Sequence, residues 1–329
     1  MENLARIAAL ILVFGASILV FATRWAQNVG VVEIHAAMPE RGGWLPTNIN
    51  AKVNEPLHLR LISDDVVHGF AIGQSDFKAI DILPGKPTDI TLNFDQAGTF
   101  TFYCTRWCGA NHWRMRGTIT VESDSPNLIK DDASPPLYLD LGIDIDAPHE
   151  LPDLKLERLP SVQRGQDLGF ELPARYLSRE YYQSQTPYQV WEALRTEPIS
   201  VDLDDAEVWD LVAALWSNTT TKQALSEGQE LFTQNCAACH GSDGRGNGVF
   251  ASKPSVAPQL DSMEVEIVLP PDFSDPGQMY GASPALLQGK ILRGGMGTGM
   301  PSWGQIFTEE QSWALTDYLW TFSFLGSKE

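Results

Sequence analysis

The first strong pattern along the chain is an uncharged apolar run, Ile7 to Thr23, flanked by Arg6 and Arg24. Its seventeen residues are near the lower limit for a helix that crosses a bilayer, and Leu4, Ala5 and an interfacial Trp25 extend it. A cleaved signal peptide would carry a shorter apolar region and a small-residue cleavage site, which this segment lacks. The expectation is an uncleaved single-pass anchor over residues 1–25. After it the apolar spacing becomes two. His58–Ile62, Asp89–Phe94, Thr99–Cys104 and Gly117–Val121 alternate apolar and polar residues, which predicts short strands. Ile90, Leu92 and Phe94 fall on one face of their strand, as do Phe100 and Phe102 of theirs. Pro84-Gly85 and Ala97-Gly98 supply turns. Short strands separated by turns predict an all-β sandwich, with a cysteine-bearing loop between its last two strands.

Residues 123–160 lose all period and fill with Asp, Pro and Leu, which reads as a linker laid over a domain surface. From residue 222 the spacing is helical, over Lys222–Cys236, Ser283–Leu292 and Thr308–Phe322, with Glu309 and Glu310 in the first turn of the last. Residues 161–217 repeat parts of this later region. Arg164–Leu168 matches Glu227–Leu231, the stretch from Leu172 matches that from Leu269, and the one from Leu203 matches that from Phe307. The offsets grow from 63 to 97 to 104, so the earlier copy lacks 34 and then 7 residues of the later one. Those gaps fall on Cys236–His240 and on the loop with Met296 and Met300. Residues 161–217 are therefore expected to be a degenerate cytochrome-like domain without haem.

The chain of 329 residues is long enough for two or three domains. Its net charge of −19 excludes a nucleic-acid partner, whose phosphates it would repel. The same charge suits solubility, or attraction of a basic electron donor. All four cysteines lie in two short motifs, leaving none for a separate structural disulfide.

The first motif is CTRWCGANHWRM, preceded by a lone His68. Thiolate and imidazole ligands suit a copper electron-transfer site. Cys104 and Cys108 can each bridge two coppers, and His68 and His112 can each complete one. Met115 supplies a weak axial ligand to one copper, and the Arg106 backbone carbonyl supplies one to the other. A mononuclear copper site needs only one of the cysteines. A structural zinc site has no use for the methionine. A Cys104–Cys108 disulfide would be an oxidised, metal-free form. Binuclear copper uses every donor.

The second motif, CAACH, offers Cys236 and Cys239 for two thioether bonds to haem and His240 as an iron ligand. A methionine on the other face of the iron raises its potential. Met300, in GTGMPSWG with Pro301 to stiffen the loop, is the first choice and Met296 the competitor. Attachment of c-type haem outside the cytoplasm puts both motifs on the extracytoplasmic side of the anchor. His35, His58 and His149 have no ligand partners beside them and read as ordinary residues.

His68 within SDDVVHGF, followed by CTRWCGANHWRM, resembles the CuA domain of cytochrome c oxidase subunit II over residues 26–122. The resemblance implies a cupredoxin Greek-key sandwich. A single preceding helix is similar to the subunit II of ba-type oxidases. Residues 222–325, within an expected domain of 218–329, resemble a class I cytochrome c, and the fusion resembles the caa-type oxidases, whose cytochrome passes electrons to CuA. The implied fold is a multidomain chain: membrane helix, all-β cupredoxin domain, linker, and then all-α cytochrome c. The implied function is electron input to a membrane haem–copper terminal oxidase. The implied partners are a catalytic subunit I and an external donor such as a cytochrome c or a quinol-oxidising complex. Oxygen reduction would belong to the partner. One departure stands out: Arg106 replaces the acid that in the family also helps to hold magnesium. It keeps open a second acceptor, a nitric oxide reductase served by the same relay. Copper delivery is the alternative of another class. Trp107 and Trp113 are bulky additions to the loop, suited either to docking or to packing.

Overall fold

The computed structural model describes residues 30–109, 111–123, 135–147, 149, 156–251, 269–295 and 299–324. The expected anchor and Met296 lie outside these. No helix among the described residues is long and apolar enough to cross a membrane. The chain divides into two compact units, Met1–Phe70 with Ala79–Asp131 and Ala71–Lys78 with Asp132–Glu329.

The first unit is built on nine strands: β1 Val31–Ala36, β2 Trp44–Leu45, β3 Asn48–Lys52, β4 Leu57–Ser63, β5 His68–Ile72, β6 Ile80–Ile82, β7 Thr88–Leu92, β8 Gly98–Tyr103 and β9 Arg116–Glu122. They form a four-stranded sheet, β2-β1-β4-β7, and a five-stranded sheet, β3-β9-β8-β5-β6. Pairs β1–β4 and β3–β9 are parallel and join strands distant in sequence, so long connections cross between the two sheets of the sandwich. The four expected strands are β4, β7, β8 and β9. In β4 every second side chain is buried, the half-covered pattern that made it legible. β5 is buried along its whole length, so it has no alternation to reveal it. Ile34, Leu59 and Leu61 of one sheet meet Phe70, Phe102 and Ile119 of the other, all within 1% of full burial. Trp44 stands edge-on to Phe70 and Phe102, with ring centroids 5.9 and 5.6 Å away.

The β8–β9 ladder ends at the pair Tyr103–Arg116, and the N–H of Cys104 donates to the carbonyl of Met115 at 3.0 Å. The cysteine loop is therefore closed at its neck by the hairpin itself. His68 opens β5, the strand beside β8, which brings it level with Cys104 although 36 residues separate them.

The second unit is helical: α1 Leu137–Asp140, α2 Val162–Asp167, α3 Arg179–Ser184, α4 Pro187–Arg195, α5 Asp205–Asn218, α6 Lys222–Asn235, α7 Ala237–His240, α8 Pro276–Met279, α9 Pro284–Arg293 and α10 Glu309–Leu319. The three expected helices are α6, α9 and α10, and a 3-10 turn, Trp320–Phe322, continues the last. Thr221, Ser283 and Thr308 cap their first turns with side-chain oxygens. The stretch expected as linker carries the single turn α1, too short to show a period. Its Tyr138 and the nearby Ile145 lie against Gly289 of α9, and Asp146 pairs with Arg293.

Candidate metal centre and haem-attachment segment

Four side chains from the sequence-predicted copper set converge. Cys104 Sγ lies 3.7 Å from Cys108 Sγ and 3.9 Å from His68 Nδ1, and Cys108 Sγ lies 3.2 Å from Met115 Sδ. The carbonyl oxygen of Arg106 is 3.2 Å from Cys104 Sγ. His68, Cys104 and Cys108 form a group able to hold a metal. His112 is 2% exposed, and neither of its ring nitrogens has a hydrogen-bond partner among the described residues. A buried imidazole with both nitrogens unsatisfied is unfavourable unless a ligand takes one of them. The donor set of two sulfurs, two imidazoles, a thioether and a carbonyl thus fits copper on chemical grounds. The shared hydrogen bond with Cys108 draws the Cys104 thiol down to about 3, against burial. Cys108 is raised correspondingly. One of the pair gives up its proton readily, which is the state a cation needs.

The surroundings hold this cluster in shape. Gly69 has to be glycine: a Cβ there would sit 2.0 Å from Oγ1 of Thr105, so any side chain would push the cysteine loop off β5. Trp44 Nε1–H donates to the Met115 carbonyl at 2.9 Å. Asp65, buried beside the cluster, faces His68 Nε2 at 2.8 Å and accepts from the N–H groups of Met38 and Val66 at 2.8 and 2.7 Å. Burial raises the Asp65 pKa, but these hydrogen bonds outweigh it and hold the carboxyl below its usual value. Asp65 fixes the ring of His68 so that Nδ1 faces Cys104, as carboxylates behind metal-binding histidines do. Sequence reasoning passed over it, although an aspartate three residues before the histidine was its signal.

Arg106 turns its guanidinium outward to Asp81 on β6, with bonds of 2.7 and 2.9 Å, while its carbonyl stays with Cys104. Trp107, 39% exposed, rests against the His112 ring with centroids 4.2 Å apart, and Trp113 lies 5.9 Å from Trp107.

In the helical unit, Cys236 ends α6 and α7 carries Cys239 and His240. Both thiols are free. Burial pushes Cys236 up to about 12 and lowers His240 to about 4, so the imidazole is neutral with a lone pair to offer. The His240 ring lies flat on Phe273, 4.8 Å between centroids and 15° from parallel. Two free thiols beside a neutral, ring-stacked imidazole fit a covalently attached haem. Met300 is part-buried, and its carbonyl accepts from the N–H of Gly295 at 3.1 Å. The remaining histidines have other partners: His35 with Asp64, His58 with Thr91 and His149 with the Gln278 carbonyl.

Two stretches of the chain are similar to known families. Residues 46–123 match the family described as cytochrome c oxidase subunit II, periplasmic domain. Residues 223–319 match cytochrome c oxidase, cbb3-type, subunit III. Cytochrome c oxidase subunit 2 of Thermus thermophilus is 29% identical over 80 residues, 24% of this chain and 58% of that protein. The cbb3-type cytochrome c oxidase subunit FixP of Azorhizobium caulinodans is 32% identical over 98 residues, 30% of this chain and 27% of that protein. The periplasmic domain of subunit II from Bradyrhizobium japonicum aligns with 29% of this chain and 84% of its own, at 19% identity and a TM-score of 0.24. The chain spans about half the length of the first subunit 2 relatives it matches. It thus joins a β-sandwich stretch similar to the cytochrome c oxidase subunit II domain to a helical stretch similar to a cbb3-type cytochrome c subunit, families that imply copper and haem c.

Proposed function

We propose that this chain is the electron-input subunit of a membrane haem–copper terminal oxidase, taking electrons from an external donor through haem c to a binuclear CuA centre. The observation that carries the reading is the pairing of donors around two adjacent thiols. Cys104 has His68 and the Arg106 carbonyl beside it, and Cys108 has Met115. His112, with its free nitrogens, completes the set. Copper bound there would supply one-electron chemistry shared between two metals. The residues themselves hold donors in a rigid sandwich, keep water out and fix the His68 ring through Asp65. In the second unit, Cys236 and Cys239 would attach the haem, His240 would bind its iron, and Met300, rather than Met296, would take the opposite face.

In this reading residues 1–25 anchor the chain, 26–122 form the copper domain, 123–160 connect, and 161–217 and 218–329 are cytochrome-like and cytochrome domains. Both sites lie on the extracytoplasmic side. The electron leaves to a catalytic subunit in the membrane. Arg106, where the oxidase loop has an acid, pairs with Asp81 and keeps open a second acceptor, a nitric oxide reductase served by the same relay.

The test is to purify the chain with its membrane partner and measure metal content, then oxygen and nitric oxide consumption. The expectation is a copper pair and one c-type haem per chain, with oxygen consumed. A single-copper spectrum sinks the binuclear site. Consumption of nitric oxide but not oxygen moves the chain to the second reading.

A further inference from the structure

The earlier half of the helical unit has no cysteine or histidine in its helices, and its residues precede the cytochrome family match at 223–319. Its geometry nevertheless repeats the later half position by position. A Cβ on Gly165 of α2 would meet the Asp210 carbonyl oxygen of α5 at 2.0 Å and the Ala214 Cβ at 2.9 Å. A Cβ on Gly228 of α6 would meet the Ala314 carbonyl oxygen of α10 at 2.1 Å and the Tyr318 Cβ at 2.8 Å. The glycines differ by 228 − 165 = 63, and the partners by 314 − 210 = 318 − 214 = 104, the offsets of the sequence repeat. The helix starts agree as well. Thr186 and Ser283 cap α4 and α9, each followed by proline. Ser178 and Asp275 cap α3 and α8. Asp204 with Glu207, and Thr308 with Gln311, form capping boxes at α5 and α10. Chance likeness between amphipathic helices does not place caps and backbone contacts at common offsets.

Aromatic and aliphatic side chains line the matching place in the earlier copy. By the offset of 97, Tyr176 is the counterpart of Phe273, which lies against His240 in the later copy. Tyr176, Tyr182, Val190, Leu215 and Trp216 are all buried there.

The two copies meet through reciprocal contacts. Trp216 packs edge-on to Trp320, its own counterpart, at 5.9 Å. Trp209 of α5 stacks at 4.8 Å on Tyr280, just after α8. Its counterpart Trp313 of α10 lies 5.5 Å from the guanidinium of Arg179 on α3, the counterpart of α8. The first contact joins a residue to its own counterpart, and the other two join α5 to the end of α8 and α10 to α3, so the copies face each other with an approximate two-fold relation between helices. A polar clamp adds to it: Tyr182 O–H donates to Asp317 at 2.7 Å, and Arg179 pairs with the same carboxylate at 3.0 Å.

We infer that residues 161–217 are a haem-free copy of the cytochrome fold and serve as its built-in partner, covering the face that carries Tyr280, Asp317 and Trp320. The inference takes the haem reading of CAACH for the later copy, but the pairing does not depend on it. Tyr280, Asp317 and Trp320 are each at most 5% exposed, although they lie on the side of the later copy that a lone domain would show to water. The fixed partner leaves no place there for a second chain.

The test uses the full chain with a protease site inserted between Thr220 and Thr221, ahead of α6, and cut after purification. The two pieces should travel as one species. Arg179→Ala with Trp209→Ala should weaken their association by about 100-fold or more, as loss of a buried aromatic anchor together with an arginine contact does. Arg179→Ala alone, at the rim of the face, keeps the result readable if the pair disturbs folding in the uncut chain. Gly165→Ala in the uncut chain should lower the melting temperature by about 5 °C or more. Pieces that separate on cutting, pieces held equally well in the substituted chains, or an unchanged melting temperature for Gly165→Ala each overturn the inference. Absence of attached haem with the pieces still paired would instead overturn only the haem reading.

Discussion

His68 and His240 are moved in opposite directions by their surroundings. Burial opposes charge on His68, but the hydrogen bonds to Cys104 and Asp65 outweigh it and raise its pKa. His240 has burial alone, and drops to about 4. His68 is set by a polar network assembled from distant segments. His240 is set by burial, with its ring on Phe273 and two cysteines beside it in sequence. In the proposed roles, the first site takes its shape from the fold, whereas the second waits for covalent attachment of its group.

The largest test of that contrast removes each group separately. Cys108→Ser should abolish the copper pair and leave covalent haem intact, and Cys236→Ala with Cys239→Ala should do the reverse. Metal analysis and a haem-stain gel read both, and loss of both groups in either variant would break the contrast. Next in size, Phe273→Ala should destabilise the helical unit by about 3–5 kcal/mol, the usual loss for a buried phenylalanine, with copper affinity unchanged in a chelator competition. Asp65→Asn should weaken copper binding by about 10–100-fold while the haem spectrum stays as it was. Full affinity in that variant would mean that the sandwich alone orients His68.

The smallest effect is in pH. In the protein without metal or haem, His240 contributes stability that is present above its usual 6.5 and is lost as pH falls through about 4. His68 contributes stability that is present below 6.5 and is lost as pH rises through its raised value. Melting followed separately for the two units should therefore show the helical unit weakening toward acid and the β unit toward alkali. Parallel shifts would show that the two imidazoles are not the groups in control.

The sequence made β4, β7, β8 and β9 legible because each shows one face to the core, and α6, α9 and α10 legible because their apolar residues fall at helical spacing. It concealed β5, whose burial removes alternation, and β1 and β3, whose pairing is parallel and long-range. The proposed copper donors were readable because five of the six sit in one loop, and the sixth was the only histidine at a fitting place. Asp65 was missed for the opposite reason: its role lies in what it touches, and an acidic residue near a turn is ordinary in a chain of this charge.

Asp81 gives β6 a further consequence. β6 is three residues long and forms the outer edge of the five-stranded sheet, and its exposed Asp81 is tied to Arg106. Long, flat sheet edges template the addition of foreign strands, and short edges carrying charge resist it. Beside the cysteine loop this sheet is therefore guarded against edge-to-edge aggregation. Any protein that approaches there meets an ion pair instead of open backbone, so its binding should loosen as salt is added.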